Sequence, residues 1–160
     1  MKAKQVKEIC SYYRDIPGMV RLLNAEAREI AAEYDGLNAV AMDGMPHGST
    51  PGRPVEGLAE KAVENNLADK LQVLDVKKQI LETDAAAIKD CLDAVNGRYK
   101  QVLTLRYRDK YSWGGISARM GIPDSTARNW HIRAIERMGE ALDDVPMVDE
   151  LLGRALRARS

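Results

Sequence analysis

LTLRYRDKYSWGGISARMGIPDSTARNWHIRAIERM, residues 103–138, is the stretch whose reading decides the fold. At its centre Gly121 follows Trp113, Ile116, Ala118 and Met120 and precedes Ile122-Pro123. A glycine there supplies the left-handed residue that a tight turn between two helices requires, without a Cβ penalty. Upstream, Ser112 stands where a helix N-cap belongs. Gly114 and Gly115 weaken the short helix that follows by about 1 kcal/mol each relative to alanine, so tertiary packing must hold it. Downstream, Pro123 fixes φ and Asp124 or Ser125 is expected to cap a second helix. On that helix Ala127, Trp130, Ala134, Ile135 and Met138 form the inward stripe, with Ile122 plugging the core beneath the turn. The pattern is a helix-turn-helix, scaffolded by a preceding helix from Tyr99 to about Arg108.

The residues left outside carry the chemistry of duplex recognition. Arginine can bond guanine O6 and N7 in bidentate fashion, and asparagine can do the same with adenine N6 and N7. Arg128 and Asn129 are the first candidates for base contacts, and Ser125 joins them at the helix start. Thr126, Arg133, Arg137, Arg119 and Lys110 are candidates for backbone phosphates. Net charge is zero over 160 residues but unevenly spread, with −4 over residues 1–97 and +4 over 98–160. Within 98–138 nine basic residues face three acidic ones, focusing positive charge where phosphate neutralisation needs it. The expected partner is double-stranded DNA.

Working outward toward the N-terminus, the chain reads as all-α, since Phe is absent and Ala, Leu, Ile, Val and Met supply the apolar content. A first helix from about Lys4 to Arg14 is expected to stop before Ile16-Pro17-Gly18. A second runs from Met19 to about Met42, with Met19, Leu23, Ala27, Ile30, Tyr34, Leu37 and Ala41 on one face. Residues 43–54 hold three Gly and three Pro and form a connector, with no Gly-Lys-Ser/Thr to make a phosphate-binding loop. From Val55 to about Val95 a long coiled-coil-like helix carries Leu67, Leu71, Leu74, Lys78, Leu81, Ala85, Ile88, Leu92 and Val95 at alternating spacings of 4 and 3. A helix ending near Met42 is too short to cover this seam, and its surplus is read as a homodimer surface rather than packing within the chain. The organisation is thus a helical oligomerisation or interaction region over 1–96, a helix-turn-helix domain over 97–142 and a C-terminal helix or tail over 143–160. In the tail Val148, Leu151, Leu152, Ala155 and Leu156 share a face that reads as docking on the domain.

Enzyme chemistry finds no convergent groups. His47 lies in the connector and His131 on the recognition helix, where it is expected on the flank or toward DNA. Neither is spaced with Cys or carboxylate as metal ligands are. Cofactors and metals are therefore not expected. Cys10 and Cys91 form no Cys-x-x-Cys pair, and no apolar run approaches a membrane span, so the expected location is cytoplasmic.

Leu105-Arg106-Tyr107, Ser112-Trp113, Ile116, Met120-Gly121-Ile122, Ser125 to Asn129 and Arg133 to Met138 together resemble the helix-turn-helix of region 4 of bacterial sigma factors. Pro123 and Asp124 depart from the polar or basic start usual there, and Asp124 would repel a phosphate, so no base contact falls to it. The whole chain resembles phage transcriptional regulators of the ArpU and RinA type, which join a helical N-terminal half and a Gly/Pro connector to such a module. That resemblance implies activation of phage late or packaging genes. Two alternatives remain: a phage small terminase subunit, and a sigma-like module that touches RNA polymerase without reading DNA.

Overall fold

A computed structural model describes residues 1–43 and 54–160, with backbone alone for 38–43 and 54–60. All described regular structure is helical: α1 (Ala3–Asp43), α2 (Pro54–Ala94), α3 (Gly97–Leu103), α4 (Trp113–Met120), α5 (Asp124–Asp143) and α6 (Val148–Arg159). A single π turn, Thr104–Arg108, extends α3. The Gly/Pro connector lies mostly outside the described residues. No helix among them is long and apolar enough to cross a membrane, and no three His, Cys, Asp or Glu among them are grouped to hold a metal ion.

The expected break at Pro17 does not occur, and α1 is continuous through it. An interior proline costs about 3 kcal/mol through its missing N–H and ring clash. Against this, Val6, Ile9, Tyr12 and Ile16 are all buried on the turns leading to it, each contributing about 1.5–3 kcal/mol. Burial of that face outweighs the local preference. The correction removes a premise as well, because α1 and α2 each have 41 residues.

The chain forms two compact units, Met1–Pro17 with Glu82–Ser160, and Gly18–Leu81. In the second unit the α1 face and the α2 seam meet: Leu23, Asn24 and Ala27 line a cleft with Leu71, Leu74, Asp75 and Lys78. Every seam position from Leu67 to Val95 is buried or half-buried within the single chain. Leu22, Val63, Val73, Val76 and Ile80 are the exposed large apolar side chains along this hairpin's described turns.

The first unit surrounds the inner face of α5. Ala134, Ile135, Met138 and Leu142 are buried in a core that also takes Val6, Ile9, Ile88, Val95 and Val102. Gly139 lets α1 approach closely, since a Cβ there would meet Val6 Cγ2 at 3.2 Å. Asp84, buried on α2, accepts bonds of 2.7 Å from Tyr12 Oη and from Arg154 Nε and Nη2. This triad and the Arg159–Glu8 ion pair at 3.0 Å dock α6 against α1 and α2. Leu151, Leu152 and Ala155 are buried as expected, whereas Leu156 points outward.

Candidate nucleic-acid interface

The site is built on α5 and the turn before it. Ser112 caps α4 by accepting a bond from the Gly115 amide at 3.1 Å, and Gly121 closes it at φ 65°, ψ 37°. Ser117 Oγ donates to the Ile122 carbonyl, and the Ile122 amide returns a bond to the Ser117 carbonyl. Beneath this turn Leu105, Ile116 and Ala127 form a small core against which Tyr111, Trp113, Met120 and Ile122 pack. The cap of α5 differs from expectation. Pro123 occupies the N-cap with no side-chain bond, and Asp124 stands in the first turn. A carboxylate there favours the positive end of the helix dipole instead of satisfying one amide.

Ser125, Arg128 and Asn129 are exposed on one face of α5, continued one turn on by Ile132. A second stripe on the flank holds Thr126, half-buried, then Trp130, Arg133 and Arg137. Arg119 lies on α4 with its guanidinium 5.5 Å from the Tyr111 ring centroid. Lys110 is exposed and takes φ 59°, a left-handed conformation rare without glycine. It closes the π turn, since the Tyr111 amide reaches back to the Leu105 carbonyl at 2.9 Å, as when a glycine ends a helix.

The inward stripe is corrected at one position. His131 is 6% exposed, and Trp130 beside it is only half-buried. His131 Nε2 and Tyr107 Oη share a 3.0 Å hydrogen bond, and the Trp113 ring meets the imidazole edge-on at 5.0 Å. Burial, with Lys7 and Arg106 adding to it, lowers the His131 pKa to about 4. Burial likewise pushes the Tyr107 phenol up to about 12. This imidazole is a core group, not a DNA-facing one.

Aromatic rings hold the basic side chains in a way the sequence did not announce. Arg98 lies 4.6 Å from the Trp130 centroid and 5.2 Å from that of Tyr99, and Arg137 lies 4.6 Å from Tyr99. Arg106 and Arg128 flank Trp113 at 4.5 and 5.6 Å. The bond from Arg98 and the nearby charges of Arg98, Arg137 and Arg133 lower the Tyr99 pKa, a local sign of positive potential. Arg98 was counted as charge but given no place, because 32 residues separate it from Trp130 and no helical spacing links them. An open groove beside Arg133 and Arg137 is bounded by Glu136, Glu140 and Asp144, so the basic flank ends there.

Residues 85–138 match the family model described as sigma-70, region 4. The match takes in the end of α2, α3, the π turn, α4 and α5 as far as Met138, and makes this a sigma region 4-like helix-turn-helix. No curated protein and no solved structure matches the chain. The region 4-like module leaves unmatched the hairpin of the second unit and the docked α6.

Proposed function

We propose that the chain is a sequence-specific DNA-binding regulator of transcription and not an enzyme. α5 lies in the major groove with Ser125, Arg128 and Asn129 toward base edges, while Thr126, Arg133, Arg137, Arg119 and Lys110 meet phosphates. Arg98 extends the phosphate track to α3. The observation that carries this reading is that Arg98, Arg119, Arg128, Arg133 and Arg137 are exposed and, among the described residues, form no ion pair with a carboxylate. Cations left unpaired on one side of a recognition helix suit a polyanion, whose binding releases counterions.

The regulator acts as a homodimer. With the α2 seam buried, the surface for this is the exposed stripe of Val73, Val76 and Ile80, at helical spacings of 3 and 4, with Leu22. The resemblance to ArpU- and RinA-type regulators supports a phage or prophage origin and action on late or packaging genes. Contact with RNA polymerase is compatible with the same module. A ring of many subunits in mass measurements would instead favour the small terminase reading.

The test is in vitro selection of binding sites with the full chain, followed by anisotropy on selected and scrambled duplexes at two salt concentrations. Arg128→Ala should cost about 1–3 kcal/mol and relax preference at one base pair. Arg137→Ala should weaken both duplexes alike and reduce the salt slope by about 0.9. Unchanged binding in Arg128→Ala together with Asn129→Ala would defeat the base-reading assignment.

A further inference from the structure

We infer that Trp113 is a positioning residue that orients Arg128 for its base contact; the inference rests on the base-reading role of α5. Trp113 opens α4, and its ring is fixed from behind. His131 abuts it edge-on at 5.0 Å, and His131 is itself stacked with Tyr107 at 5.8 Å and hydrogen-bonded to it. The column of Tyr107, His131 and Trp113 thus runs from the half-buried end of the π turn, past the inner face of α5, to the half-buried start of α4.

Two guanidiniums lie over that ring, and they differ in what else holds them. Arg106 is tied to the backbone, its Nη1 donating to the Tyr111 carbonyl at 3.1 Å. Arg128, among the described residues, has the indole as its partner. A cation–π contact uses none of the guanidinium N–H groups as hydrogen-bond donors, and so leaves them available for a bidentate bond to guanine. A long side chain that reads a base gives up rotamer freedom on binding. An indole face, the strongest of the aromatic partners for a cation, removes part of that freedom beforehand.

The experiment uses the full chain and its selected duplex, with single base-pair replacements, for wild type, Trp113→Phe, Trp113→Leu, Arg128→Ala and the Trp113→Leu/Arg128→Ala pair. Trp113→Leu should weaken the selected duplex about two- to fivefold, the weight of one exposed cation–π contact. The loss should fall on the base pair that Arg128→Ala relaxes, leave the salt slope unchanged, vanish in the Arg128→Ala background and be largely restored in Trp113→Phe. A Trp113→Leu loss that adds in full to that of Arg128→Ala, or that strikes all duplexes alike, overturns the proposal. Unaltered binding in Trp113→Leu overturns it too. Unaltered binding in Arg128→Ala overturns the base-reading role first, and so tells the two failures apart. Should Trp113→Leu not fold, the Arg128 Nε–H NMR signal of the free wild type decides: a rigid signal supports positioning, and a signal as mobile as that of an unstacked surface arginine refutes it.

Discussion

Acid should loosen the domain through His131, and the size of the effect follows from where the imidazole sits. Its pKa in the folded chain is about 4, against 6.5 for the unperturbed group, because burial and the charges of Lys7 and Arg106 disfavour the cation. Protonation leaves Nε2 able to act only as a donor in the 3.0 Å bond it shares with Tyr107 Oη. As pH falls past 6.5 the unfolded chain takes up a proton that the folded chain refuses, so stability is lost from about pH 6.5 down to about pH 4. Below that both states are protonated and this contribution is flat. At 1.36 kcal/mol per unit, the whole gap is worth ~3 kcal/mol, and the interval from pH 7 to pH 5 accounts for about 2 kcal/mol of it. Urea denaturation of wild type and His131→Gln at pH 7 and pH 5 measures this directly, because the carboxylates titrate alike in both proteins and cancel in the difference. Wild type should lose about 2 kcal/mol more than the variant over that interval. Parallel losses in the two proteins, or an imidazole NMR titration centred near the ordinary histidine value, would refute the reasoning.

Two further changes test the frame around the site. Arg154→Ala leaves the Asp84 carboxylate, 3% exposed, with the Tyr12 hydroxyl as its remaining partner in the triad; breaking a buried pair costs about 3–5 kcal/mol, and the partial exposure of Arg154 places the loss near the lower figure. A loss below 1 kcal/mol in urea denaturation at pH 7 would show that water already solvates Asp84. Lys110→Gly should stabilise the chain by about 0.5–1 kcal/mol, because glycine accepts the φ of 59° that lysine adopts under strain. The same substitution should lower affinity for all duplexes and reduce the salt slope by about 0.9, so an unchanged slope would remove Lys110 from the phosphate contacts.

Local chemistry made the turn legible. A glycine after the last apolar residue of α4 and a serine before its first each have one economical conformation, and both were found in it. The inward face of α5 was legible except at one position, and the exception is instructive. Ala127 can be followed on a helical stripe by residue 130 or by residue 131, and hydrophobicity alone selects Trp130. The choice of His131 is made by Tyr107, 24 residues earlier, whose hydroxyl gives the buried imidazole a partner. Pro17 was misread for a related reason: a local breaker was weighed without the buried face of α1, whose partners lie more than 60 residues away. The α2 seam was read correctly as apolar, but the partner of an apolar seam is not written in its spacing. The pairs of Arg98 with Trp130, Arg137 with Tyr99, and Arg128 with Trp113 were invisible because each joins two helices, so no single periodicity contains them.

The glycine pair that weakens α4 shows how these levels fit together. A Cβ at Gly115 would lie 3.1 Å from Tyr111 Cδ1, so the glycine permits Tyr111 to fold back over the start of the helix. Tyr111 is the ring beside Arg119, and its carbonyl is the acceptor that ties Arg106 beside Trp113. Gly114 has no such neighbour, its nearest being Ser112 Oγ at 4.0 Å. One of the two glycines is therefore demanded by the placement of cations on the surface, at a cost in helix propensity of about 1 kcal/mol. The cost is met from outside the helix, by the Ser112 cap, the turn at Gly121 and the core of Leu105, Ile116 and Ala127. α4 is thus held by its packing more than by its own sequence, and with it the ring on which Arg128 rests. A substitution that strengthens α4 at position 115 should accordingly displace Tyr111 and disturb the guanidiniums, improving the helix while degrading the surface it presents.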